Sequence, residues 1–226
     1  MKHASTRVAL VICAAVFSLS GPTAPGASTA VQVVDGDALV VAGERLRLNG
    51  IDAPELGQTC HDGSGRKVKC GHRAKAHLER LIAAGSLTCS GDTMDAYDRR
   101  IATCFVNGQD INARMVQDGQ ALAFRKYSNR YVREETAARQ TGAGLWNGAF
   151  DPPWDYRAAR WRIAQADQAA PNGCPIKGNI SSNGRIYHPP WSTSYARTRI
   201  DPSRGERWFC SEAEALAAGW RPPHGS

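Results

Sequence analysis

Hydrophobic and polar positions change period several times along the chain, and each change marks an element. Residues 31 to 41 (VQVVDGDALVV) are two short β-branched runs around an Asp-Gly pair, the strongest short hairpin signal. Residues 45 to 51 (RLRLNGI) alternate: Leu46 and Leu48 share one face, Arg45 and Arg47 the other, which predicts a half-buried strand. Leu56 to Gly71 is polar and glycine-bearing and reads as a mobile surface loop. From His72 to Ala84 the period becomes helical, with Ala74, Leu78, Leu81 and Ile82 on one face and Gly85 as a stop. Ser86 to Cys89 and Ile101 to Val106 read as strands joined through the charged turn Asp95–Arg100. Asp110 is placed to cap a helix carrying Ile111 and Met115 that ends near Gly119. A third helix is expected over Val132 to Thr141, with Leu145 and Trp146 as a docked end.

Strands first, with helices among and after them, imply an α+β fold and exclude a wound parallel sheet. Residues 31–148 form the expected main domain and 149–171 a partly helical linker rich in Ala, Pro and Arg. Residues 172–226 form a small module dense in Trp, Tyr, Gly and Pro. Within that module Ser211 is expected to cap a short helix, with Glu214 three residues on and Gly219 as its end.

The first 30 residues stand apart. Lys2, His3 and Arg7 precede an apolar run from Val8 to Leu19, and Ser28-Thr29-Ala30 offers a small-residue cleavage site, the layout of a secretory signal peptide. The run is shorter than the ~20 apolar residues that a membrane-spanning helix needs, so no membrane association is expected after cleavage. The 28 basic and 21 acidic side chains give a net +7; without Lys2 and Arg7 the balance is 26 against 21, or +5. That excess suits an anionic partner without identifying one. Export makes disulfides the first reading of Cys60, Cys70, Cys89, Cys104, Cys174 and Cys210. Six cysteines allow fifteen pairings, but these six fall into three sequence neighbourhoods, which favours pairing within each. Zinc held by Cys60-His61 and Cys70-Gly-His72 is the competing reading of the first neighbourhood.

A set of acids and arginines gathers at strand ends and turns: Asp37 beside the Asp-Gly turn, Arg47 on the third strand, Asp52 and Glu55 just after it, and Arg99 in the later hairpin turn. Phosphodiester hydrolysis needs this inventory. Carboxylates hold a hard cation, one carboxylate activates water, and guanidinium forks grip the phosphate as charge builds.

Three blocks, Val34-Asp-Gly-Asp37, Arg47-Leu-Asn-Gly-Ile-Asp52-Ala-Pro-Glu55 and Asp95-Ala-Tyr97-Asp-Arg99, resemble the signature blocks of the staphylococcal nuclease family in order and spacing. The resemblance covers roughly residues 31 to 146. It implies a five-stranded barrel of the oligonucleotide-binding (OB) type with three helices, plus the small stapled module. It further implies Ca²⁺ held by Asp37, Asp52 and the Ala53 carbonyl, Glu55 as the group that holds and deprotonates water, and Arg47 and Arg99 on the scissile phosphate. Tyr97 and Tyr127 would contact the nucleotide. The product would carry a 3′-phosphate. Three positions depart from the pattern. Ala38 replaces a threonine, Asp98 replaces a glycine and introduces a carboxylate beside Arg99 that Arg100 is expected to offset, and Arg125 replaces a tyrosine, which exchanges base stacking for a phosphate contact. The expectation is a secreted or periplasmic monomer that cuts DNA, RNA or both; the rival is an OB-fold protein that binds nucleic acid without cutting it.

Overall fold

The computed structural model describes residues 1, 30–166 and 170–223; the expected export leader lies outside the described residues. The chain begins with β1 (Val31–Val33), β2 (Ala38–Val41), β3 (Glu44–Leu48) and β4 (Ile51–Asp52). Two short strands follow, β5 (Cys60–His61) and β6 (Lys67–Val68), then α1 (Cys70–Ala83). Next come β7 (Leu87–Met94), β8 (Arg100–Val106), β9 (Gln109–Asp110), α2 (Ile111–Gln117), β10 (Leu122–Ala123) and α3 (Val132–Thr141). The C-terminal part comprises α4 (Pro153–Ala166), β11 (Ile176–Ser181), β12 (Gly184–His188), β13 (Arg207–Phe209) and α5 (Glu212–Ala217).

The main sheet runs in the order β1-β2-β3-β8-β7, with β9 attached to β8. All its pairs are antiparallel except β3 with β8. The alternation of residues 45–48 is realised: Leu46 and Leu48 are buried while Arg45 and Arg47 project from the other face. The expected five-stranded barrel does not close among the described residues. β4 pairs only with β10, as a separate two-stranded sheet. The reason is local: β4 is two residues long and is set off from β3 by a turn whose Gly50 lies at φ 73°.

One core joins the sheet to the helices, built from Leu39, Leu46, Leu48, Ile51, Leu78, Ile111 and Met115, each at most 2% exposed. Each such side chain contributes about 1.5–3 kcal/mol of hydrophobic stabilisation. α2 is capped as its sequence predicts, the Asp110 carboxylate accepting from the Ala113 N–H at 3.0 Å. α3 ends at Gly142 in the left-handed region.

Cys60–Cys70, Cys89–Cys104 and Cys174–Cys210 are disulfides, which rules out the zinc reading. The stretch read as a mobile loop, residues 56–71, instead carries the β5–β6 hairpin, stapled through Cys60 to the first residue of α1. The C-terminal sheet, in the order β12-β11-β13, has its own small core of Ile176, Tyr187, Phe209, Ala215 and Trp220. Ser211 caps α5 through the Glu214 N–H at 3.1 Å. Residues 153–166, within the stretch read as a linker, are helical, and Trp161 of α4 packs on that second core. Among the described residues, no helix is long and apolar enough to cross a membrane.

Candidate active site

The acids of the first two sequence blocks converge because three backbone segments approach one another closely. The β1–β2 turn brings Asp35 and Asp37 against the exit of β4 and the flank of α1. A Cβ on Gly36 would stand 2.6 Å from that of Ala53 and 2.8 Å from that of Ala74, so only glycine lets the turn sit there. Gly71, in the first turn of α1, plays the same part for Glu55: a Cβ there would overlap the Glu55 carbonyl.

Within this frame Asp37 and Asp52 are 4% and 0% exposed. Asp37 accepts from the Ala53 N–H at 2.8 Å through one oxygen and from Arg47 Nη1 at 2.5 Å through the other. The second fork nitrogen of Arg47 donates to Asp52 Oδ1 at 3.0 Å. Arg157, from α4, donates to both oxygens of Asp52, at 2.8 and 3.1 Å, and to Glu55 Oε1 at 2.7 Å. Asp37, Arg47, Asp52 and Glu55 therefore form one bonded cluster. Burial pushes the Glu55 carboxyl up to about 7 against the pull of Arg157, with Asp37 and Asp52 adding to the rise. Arg157 itself is held charged, since Asp52 and Glu55 outweigh the cost of its burial.

Two members of the site were not singled out in the sequence. Asp35 is 8% exposed and accepts from the Asp37 N–H at 3.0 Å. Burial first, then Asp37 and Glu55, raise its carboxyl well above the usual carboxylate range. Its signal was present in the first block, two residues before Asp37. Arg157 had no local signal, being one of several arginines in an Ala-rich stretch.

The remaining expected residues lie outside the bonded cluster. Arg99 is held by Asp95, at 2.8 Å through Nε and 2.7 Å through Nη2. Asp98, at φ 57°, supplies the left-handed turn geometry that the usual glycine would provide, and the carboxylate paired with Arg99 is that of Asp95. Arg100 does not offset Asp98, because it forms a two-point pair with Glu44. Tyr97 lies under the Arg99 guanidinium at 5.2 Å, and its carbonyl accepts from Arg45 at 3.0 Å. Tyr127 is 71% exposed, edge-on to Phe124 at 5.0 Å. Arg125 pairs with the buried Glu135 at 2.5 Å, an engagement that competes with the expected phosphate contact.

The oxygen-rich donor set of Asp37, Asp52 and the neighbouring Ala53 carbonyl fits a hard cation such as calcium. Among the described residues, however, no three His, Cys, Asp or Glu side chains already stand together as a ready metal cluster. Guanidinium groups lie between the carboxylates.

A family model described as "Staphylococcal nuclease homologue" matches residues 45–148, and a second, described as "ArfC", matches residues 156–222. The chain is 34% identical to the succinoglycan biosynthesis protein ExoI of Rhizobium meliloti, over 63% of this chain and 77% of that protein. It is 32% identical to a micrococcal nuclease of Shigella flexneri, over 70% and 97%. It is also 32% identical to the probable staphylococcal-like nuclease CAN2 of Oryza sativa, over 50% of this chain but 29% of that protein. With the three blocks in register and most of a nuclease's length covered at this identity, the chain belongs to the staphylococcal nuclease family.

Proposed function

We propose that this chain is a secreted or periplasmic, calcium-dependent endonuclease that hydrolyses phosphodiester bonds of DNA, RNA or both and leaves a 3′-phosphate, acting as a monomer on an OB-type core. The observation that carries the reading is the bonded convergence of Asp37, Arg47, Asp52 and Glu55. A protein that only bound nucleic acid would have no need of a water-activating carboxylate beside two buried aspartates. The three disulfides are compatible with an oxidising compartment.

Asp37 and Asp52, with the Ala53 carbonyl, would hold the cation, and its charge would neutralise phosphate oxygens and favour attack by water. Glu55 orients that water and takes its proton. Arg47 turns its fork from the two aspartates toward the phosphate as negative charge develops. Arg99 does the same from its resting pair with Asp95, and Tyr97 and Tyr127 contact the flanking nucleotide. The purified protein should degrade single-stranded DNA in millimolar calcium and stop when the ion is chelated. Degradation that persists without divalent ions, or none in their presence, overturns the assignment.

A further inference from the structure

We propose that α4, docked by the C-terminal module, holds this site closed by supplying Arg157 as an internal stand-in for the cation. The inference rests on the cation-dependent reading given above and concerns the regulation of that same site.

Arg157 lies beyond the segment that matches the nuclease family model. Its fork occupies both oxygens of Asp52 and one of Glu55. A cation ligated by Asp52 needs those same lone pairs, so ion and guanidinium exclude each other. With its side chain 22% exposed, Arg157 has a route to solvent when displaced. A fixed cation thus stands on the carboxylates assigned to metal.

The docking is built rather than incidental. Trp154 of α4 stacks on Phe124 at 5.7 Å and 7°, while Trp161 packs on the C-terminal core and lies 6.1 Å from Trp191. Gln58 donates to the Asp151 carbonyl at 2.7 Å. A Cβ on Gly57 would come within 3.3 Å of the Trp191 carbonyl, so the loop that follows Glu55 lies against the module. α4 therefore bridges the two cores and carries Arg157 between them.

The test uses the whole chain, with terbium(III) luminescence and calcium calorimetry as ion readouts that do not depend on turnover. Arg157→Gln should bind either ion at least about tenfold more tightly, since the open fraction no longer limits apparent affinity. Arg162→Gln removes the same charge from an exposed site on α4 and should match wild type. If Arg157→Gln does not fold by circular dichroism, Arg157→Lys, which keeps the charge but loses the fork, should still tighten ion binding. Unchanged or weaker ion affinity in the Arg157 variants overturns the proposal. So does lower turnover at unchanged ion affinity, which would make Arg157 a further phosphate clamp. If wild type cleaves nothing yet the variants bind ions more tightly, the nuclease reading fails and the closure stands.

Discussion

The nuclease-type region and the C-terminal region both bury polar groups, but they do so to different ends. In the C-terminal region the buried Lys177, Glu206 and His188 bond local backbone and neighbouring strands. The Lys177 ammonium donates to the carbonyls of Tyr195 and Thr198, Glu206 accepts from the Ile180 and Asp201 N–H groups, and His188 bonds Asn179. In the nuclease-type region Asp37 and Asp52 share Arg47, and Asp52 and Glu55 share Arg157. Burial alone therefore does not mark a reactive site in this molecule. What sets the nuclease-type region apart is the convergence of several charges on shared partners, where turns meet at the edge of the large core.

The sharpest way to break that comparison is a conservative change in each region. Arg47→Lys keeps the charge but loses the planar fork, and turnover should fall about 10²-fold while the fold persists. Lys177→Arg should leave turnover near wild type and alter only the melting of the C-terminal sheet. Parallel single-turnover rates and melting curves check both.

A smaller effect should come from the backbone. Gly71→Ala changes no charged group, yet its methyl would press on the Glu55 carbonyl and shift the carboxylate. Turnover should drop about tenfold, in line with the sensitivity of catalysis to small misplacements. A rate equal to wild type would mean that Glu55 needs no such placement.

How much of this was legible in the sequence depended on how local the signal was. The bounds of α3, the Asp110 cap and the buried Leu46–Leu48 face followed from short-range periodicity and capping chemistry. The open sheet was not legible, because two-residue strands such as β4 and β10 carry no period. The β5–β6 hairpin was missed for the same reason. Asp37, Arg47, Asp52 and Glu55 could be read because their two segments carry recognisable blocks. Arg157 could not, since its partner Asp52 lies 105 residues away and an arginine on an Ala-rich helix is ordinarily a solvated one. Asp35 was hidden by ambiguity, as aspartate in a turn is common for purely local reasons.

The smallest expected effect sharpens the contrast from the C-terminal side. Burial, reinforced by Arg197 and Lys177, pulls the His188 pKa down to about 4, below its ordinary 6.5. The folded module thus favours neutral imidazole, and the stability this contributes above pH 6.5 is lost as pH falls toward 4. At pH 5.5 the loss is about 1 kcal/mol. Melting of the C-terminal sheet, followed by hydrogen exchange between pH 7 and 5, should weaken in wild type and become flatter in His188→Gln.

The central claim, that the converged cluster cuts a phosphodiester with Glu55 as its base, is tested most directly by single-turnover cleavage of single-stranded DNA by Glu55→Gln at saturating calcium. DNA affinity should remain near wild type while the cleavage rate falls about 10²–10³-fold. Cleavage at the wild-type rate would contradict it.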